Sequence, residues 1–173
     1  MNIYENILNG GDLRSIGGSN KVVAVVGSRE EFDGLFTLLF HSDRRIVMRA
    51  GDAIEKITIT KAEYLQPHKA GILELCSIAS DKELKWHLAL IVSRLNLTKK
   101  ELGIVWQTLT GWALDRKNSR VVRVNSLQGL YNLFEKNTPL ERDLCLTIAA
   151  VIKENIPSIT ARVKKFRKLN NKI

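Results

Sequence analysis

Three twelve-residue stretches of similar pattern, 46–57, 84–95 and 122–133, follow one another at intervals of 38 residues. Each opens on an apolar residue (Ile46, Leu84, Val122) and closes on another (Ile57, Leu95, Leu133). A unit of that length cannot bury its apolar face alone, so neighbouring copies must stack and share a core. The recurrence therefore constrains the chain to a stack of like helical units. It leaves the chemistry open, because such stacks serve as binding surfaces far more often than as catalysts.

The helix starts are marked consistently. Ser28 to Glu31, Ser80 to Glu83 and Thr98 to Glu101 each match a capping box, in which a hydroxyl and a carboxylate satisfy backbone groups that the first turn leaves without partners. Thr138 to Glu141 matches it again and adds Pro139 at the first helical position, where a missing N–H costs nothing. Pro67, Pro139 and Pro157 all fall at or near proposed helix starts, so none interrupts a helix interior.

Between these marks the apolar spacing is helical. Phe32, Leu35, Phe36, Leu39 and Phe40 share one face; Ile46, Ala50, Ala53, Ile54 and Ile57 form a second stripe after the short link 41–44. Two amphipathic helices joined so closely bury both stripes only by lying antiparallel. The same reasoning pairs the helices within 65–96, 98–135 and 138–170, as it does within 28–58, with 1–27 as an atypical cap holding helices near 3–8 and 19–26. Residues 58–60 are too short for a strand and are read as a loop. The expectation is one all-α domain over 1–173, in which antiparallel helix pairs wind into a right-handed α-α superhelix.

Residues 38–57 resemble a HEAT repeat: a first helix ending in leucines, an aspartate turn, then a second helix rich in valine and arginine. Asp43 and Asp81 stand three residues before Ile46 and Leu84, where that motif places its turn aspartate, and Ser119 takes the place in the third copy. Lys85 and Arg123 match the family's basic position; Val47 departs from it. The resemblance covers residues 28–135 and extends less closely to the last pair. It implies an armadillo-like solenoid, similar to bacterial HEAT-repeat proteins of this size.

Gly34, Gly51, Gly71, Gly103, Gly111 and Gly129 lie inside proposed helices, where each costs about 1 kcal/mol relative to alanine. Close packing of neighbouring helices is the expected compensation, and no glycine pattern of a phosphate loop is present. Cys76 and Cys145, each among apolar residues, are read as buried free thiols. Residues 1–9 show no leader-like pattern and no apolar run reaches a membrane span, so a cytoplasmic location without membrane association is expected.

The histidines, His41, His68 and His87, have no metal-ligand spacing, and no nucleophile elbow is present. No cofactor, metal or small-molecule substrate is expected, and the chain is read as a non-enzymatic interaction module. If Ile46, Ala50, Ala53 and Ile57 face inward, the opposite side of that helix carries Met48, Asp52 and Glu55. Equivalent positions are Trp86, Leu90 and Ser93, then Val124, Gln128 and Tyr131. Met48, Trp86 and Val124 are expected to make an apolar row along a concave groove that holds a protein partner, with Trp86 as its anchor.

The charge suggests a second reading. Arg162, Lys164, Lys165, Arg167, Lys168 and Lys172 fall in the last twelve residues, while the rest of the chain contributes only +3 of the net +9. With Lys85, Arg94 and Arg123, these form the candidate nucleic-acid surface. A third reading rests on architecture alone and resembles the HEAT-like alkylpurine DNA glycosylases. It would draw its catalytic acid and base-gripping residues from Asp52, Glu55 and Trp86.

Overall fold

The computed structural model describes residues 3–10, 12, 15–170 and 173. It is all-α, with no strand among the described residues. Residues 22–25 are helical and 58–60 form a turn, as the short β-like run there requires. No described helix is long and apolar enough to cross a membrane. The chain divides into two compact units, 1–72 and 73–173.

The first unit holds α1 (Ile3–Leu8), α2 (Ser19–Val25), α3 (Arg29–Phe36) with the 3₁₀ turn Thr37–Phe40, α4 (Arg44–Ile57) and the 3₁₀ stretch Ala62–His68. Its centre is α4, against which α1, α2, α3 and the 3₁₀ turn all pack. That crowding buries Met48 along with Ile46, Ala50, Ala53 and Ile54. Met48 therefore does not project from an open face: a helix enclosed on several sides has no single polar stripe. The capping box at Ser28 forms, with Ser28 accepting from the Glu31 amide at 3.2 Å and Glu31 accepting from the Ser28 amide at 2.9 Å.

Helix α5 (Lys69–Ile78) runs from the first unit into the second. The second unit continues with α6 (Lys82–Ile91) and its 3₁₀ turn Val92–Arg94, α7 (Lys99–Leu114), α8 (Arg120–Lys136), the 3₁₀ turn Thr138–Leu140, α9 (Glu141–Ile152) and α10 (Pro157–Leu169). Here α8 is central and packs on α6, α7, α9 and α10, while α7 also packs on α9. Such enclosure needs a wide apolar face, and α8 buries Val122, Val124, Leu127, Leu130, Tyr131, Leu133 and Phe134. The rings of Tyr131 and Phe166 stack at 4.3 Å between α8 and α10. Tyr131 is thus a core residue, and Val124 is buried among its neighbours, touching the surface only at the edge of a cleft.

Two expected capping boxes are replaced. The N-cap before α6 is Asp81, one residue beyond Ser80, and Glu83 is buried. At 138–141 the Leu140 amide donates to the Asn137 carbonyl at 3.0 Å, closing a 3₁₀ turn that takes Thr138 out of the cap position. The box at Thr98 forms as read.

The glycines also divide. A Cβ on Gly129 would overlap the Ala89 carbonyl oxygen and lie 3.0 Å from Leu109 Cδ1, so α8 reaches α6 and α7 only because that side chain is missing. At Gly103 and Gly111 a Cβ would meet nothing within 4 Å, which removes close packing as the reason for either. Both lie instead along an open trough between α7 and α9, made of two cavities of about 550 and 510 Å³ that share Trp106, Gln107 and Asp143. The Thr110 hydroxyl, on the first of these, is buried without a hydrogen-bond partner.

Candidate nucleic-acid interface

The sites expected from the sequence scatter once side chains are placed. In the first unit Asp52 is half-buried, accepts from the Ser19 hydroxyl and pairs with Lys56 Nζ at 2.5 Å; Glu55 is half-buried beside it on the helix. Asp52 is therefore a structural carboxylate tying α2 to α4. The first unit's largest buried side chain is one the sequence did not single out, Arg49. Its Nε donates to the Ser15 carbonyl at 3.1 Å, Nη1 to the carbonyls of Leu8 at 2.5 Å and of Gly10, and Nη2 to that of Asp12 at 2.9 Å. Gly17, at φ +51°, lies against the guanidinium, and a Cβ there would fall 2.7 Å from Nε. Any side chain at Gly17 would be strained by the backbone and would collide with Arg49.

Arg123 was expected on a nucleic-acid surface and is instead inside the second unit, 3% exposed. Its Nε donates to the Ala113 carbonyl at 2.8 Å, while Nη1 and Nη2 grip Glu154 at 3.0 and 2.8 Å. Arg116 reaches the same carboxylate at 3.5 Å. Glu154 is placed by the chain reversal after α9, where Asn155 takes φ +52°, a conformation asparagine tolerates better than most residues. The hydrogen bonds from Arg123, more than the charges around it, hold the Glu154 pKa below the usual carboxylate range. Arg123 is fully engaged and offers nothing to a ligand.

What the second unit does present is a polar surface running across α6, α8 and α10. Asn125 Nδ2 donates to the Trp86 carbonyl at 3.0 Å, and seven residues on, Asn132 Nδ2 donates to Ser93 Oγ at 3.1 Å. Both bonds span 39 residues, one more than the 38-residue interval of the sequence pattern. Gln128 lies between them, donating to Asn132 Oδ1 at 2.7 Å and accepting from Arg162 Nη1 of α10 at 2.7 Å. Lys136 Nζ donates to the Ser93 carbonyl at 3.1 Å. Asn125, Gln128 and Asn132 are spaced i, i+3, i+7, one stripe of a helix. That spacing was the available sequence signal, and of these three only Gln128 was picked out.

Beside this surface, Arg120, Val121, Val124, Asn125, Pro157, Ser158 and Arg162 line a cleft of about 450 Å³ that contains no carboxylate. Arg120 is exposed and, among the described residues, makes no hydrogen bond or ion pair. Arg162 is half-buried and held by the neutral Gln128 amide alone; burial pushes its pKa down. Lys136 is pushed down as well, by burial first and then by the charge of Arg94. Among the described residues neither cation has a carboxylate partner.

The other expected residues fall around this region. Trp86 and Leu90 are half-buried on α6, with the Trp86 ring edge-on to His87 at 5.5 Å. Lys85 Nζ lies over the Trp112 ring at 5.8 Å and 3.5 Å from Asn118 Oδ1, both neutral groups. Arg94 is half-buried. On α10, Ile159, Val163 and Phe166 face the core, leaving Lys164, Lys165, Arg167 and Lys168 exposed. Ser158, Arg162 and Lys165 share one stripe at i, i+4, i+7. Lys172 lies outside the described residues. Cys76 is buried, its thiol pushed up to about 12, whereas Cys145 is only half-buried.

Residues 1–72 carry nine Lys and Arg against nine Asp and Glu, whereas 73–173 carry eighteen against nine. The whole net charge of +9 therefore belongs to the second unit. No group of three or more His, Cys, Asp or Glu among the described residues is arranged to hold a metal ion. Comparison with protein-family models, with curated proteins and with solved structures finds no match to this chain.

Proposed function

We propose that this chain is a HEAT-like α-solenoid interaction module, not an enzyme, and that it binds nucleic acid on the α6, α8 and α10 surface of its second unit. Support for the stacked architecture comes from α8 packing on both α6 and α10, α7 packing on α9, and two side-chain bonds that each join residues 39 apart. The observation that carries the ligand is the cleft with two arginines and no carboxylate, in the unit that holds all of the net charge. Phosphates are neutralised by such cations with release of counter-ions, and the amides alongside can accept or donate to sugar and base edges. Half-exposed Trp86, whose backbone is tied to the cleft by Asn125, adds an aromatic surface of the kind that stacks on unpaired bases.

Trp86 and Leu90 also support the protein-groove reading, which loses Met48, Val124 and Tyr131 to the core. Titration of a labelled single-stranded oligonucleotide, and of its duplex, by fluorescence anisotropy at several salt concentrations separates the two readings. Affinity should fall with log–log slopes of about −0.7 per neutralised phosphate for the single strand and about −0.9 for the duplex. Absence of binding at low salt overturns the nucleic-acid proposal and leaves the groove to a protein.

A further inference from the structure

We infer that the cleft between Arg120 and Arg162 is a dedicated phosphate seat, the point at which a nucleic-acid strand is fixed on the second unit; this rests on the nucleic-acid reading above. Among the described residues, these two arginines line one cleft without a carboxylate, whereas several other cations are already paired. Arg45 is bound to Asp43 at 2.7 Å, Lys56 to Asp52 at 2.5 Å and Arg123 to Glu154 at 2.8 Å, so each already has its anion. The lysines of α10 stand in solvent, where a phosphate contact is weak and not directional. Arg162 is half-buried, aimed along α8 by a single 2.7 Å bond to Gln128 Oε1, and its remaining N–H groups have no described partner. Holding a guanidinium out of bulk water without a carboxylate has an electrostatic cost, and an arriving anion removes it.

The cleft fits a phosphate group in chemistry and in size. Its polar lining consists of two guanidinium forks, the Asn125 amide and the Ser158 hydroxyl, all able to donate hydrogen bonds. Val121, Val124 and Pro157 supply the apolar part of its lining. A volume of about 450 Å³ is large enough for a phosphodiester with part of its sugar. Asn125 contributes to the cleft and also holds the Trp86 carbonyl, so a strand seated here has an aromatic ring one helix away. Lys165, one turn beyond Arg162 on the same stripe, extends the positive track.

The test uses the full chain and four forms: the natural sequence, Arg120→Met, Arg162→Met, and the double substitution Lys164→Gln, Lys168→Gln. Arg120 makes no intramolecular bond among the described residues, so its variant should keep the fold even if loss of the Gln128 contact disturbs Arg162→Met. Each arginine substitution should weaken a labelled short oligothymidylate by about tenfold and reduce the salt slope by about 0.7; the lysine pair, although it removes two charges, should cost less affinity than either arginine alone. Inorganic phosphate, titrated separately, should shift the Ser158 backbone and Asn125 side-chain amide resonances in the natural protein and not in Arg120→Met. Oligothymidylate binding that both arginine variants retain unchanged overturns the seat and upholds the nucleic-acid reading. Saturable phosphate shifts without oligonucleotide binding overturn that reading and uphold the seat as a site for a small phosphate compound. Neither response overturns both.

Discussion

Each unit encloses one arginine in its central helix, and the two are satisfied in opposite ways. Arg49 in α4 is caged by four backbone carbonyls of residues 8–15, whereas Arg123 in α8 is paired with a carboxylate, Glu154, and one carbonyl. The cage uses the guanidinium as a peg that ties Leu8, Gly10, Asp12 and Ser15 to α4. The pair uses it as a strut between α8 and the end of α9. A cage of dipoles is set by main-chain geometry and leaves nothing to titrate; a carboxylate pair depends on pH and on one side chain. The same contrast appears at the surface, where the first unit is neutral and the second carries every excess charge.

Removing the pegs should show which arrangement is the more demanding. Arg49→Met strips four carbonyls of their donor, and a loss of about 3 kcal/mol is expected in denaturant unfolding, with amide exchange accelerated in α1. Arg123→Met should cost less, about 2 kcal/mol, because Glu154 keeps Arg116 at 3.5 Å and can turn toward water. An equal or larger loss at Arg123 would reverse the comparison and make the carboxylate pair the stricter device.

The second unit can then be divided against itself. Gly129→Ala should destabilise by about 1–2 kcal/mol, since the added methyl meets the Ala89 carbonyl, which belongs to backbone and cannot move aside cheaply. Gly103→Ala, on an open helix face, should stabilise by about 0.5–1 kcal/mol. Thermal melts of both variants check the pair, and a destabilised Gly103→Ala would mean that the trough between α7 and α9 is narrower than described.

The smallest effect concerns acid. Asp43 caps α4 by accepting from the Arg45 amide at 2.8 Å, and the hydrogen bonds from the Arg45 side chain and amide hold its pKa down to about 2. A depressed carboxylate contributes stability that is fully present above its ordinary pKa of about 3.9, and this is lost as pH falls through the folded value. Urea midpoints measured from pH 5 down to pH 2 should therefore decline less in Asp43→Asn than in the natural protein. Parallel declines would assign the acid sensitivity to other carboxylates whose pKa is lowered, Glu31 at its capping box and Glu154 beside Arg123.

Helix existence and order were legible in the sequence because they depend on local periodicity and on caps. The short helices at Ile3–Leu8 and Ser19–Val25, the starts at Ser28 and Thr98, and the pairing of α7 with α8 all follow from spacing that a linear reading can see. The failures at Ser80 and Thr138 lie at boundaries where one residue or a proline turn competes for the cap. The binding surface was only partly legible: Trp86, Gln128, Lys85 and Arg162 were singled out, while Arg120, Asn125 and Asn132 were not.

The 38-residue recurrence and the helical spacing determined an all-α chain with its helices in this order, since each helix's apolar stripe and caps are properties of neighbouring residues. Which faces stay open was decided by tertiary structure alone. A helix wheel assigns one inside, and α4 and α8, each enclosed by several partners, have more than one. Met48, Val124 and Tyr131 went into the core for that reason, and Arg123 went with them because Glu154, 31 residues further on, was brought within 2.8 Å. Burial and charge pairing between distant residues depend on the sum of a helix's neighbours, and that sum exists only after the units have packed.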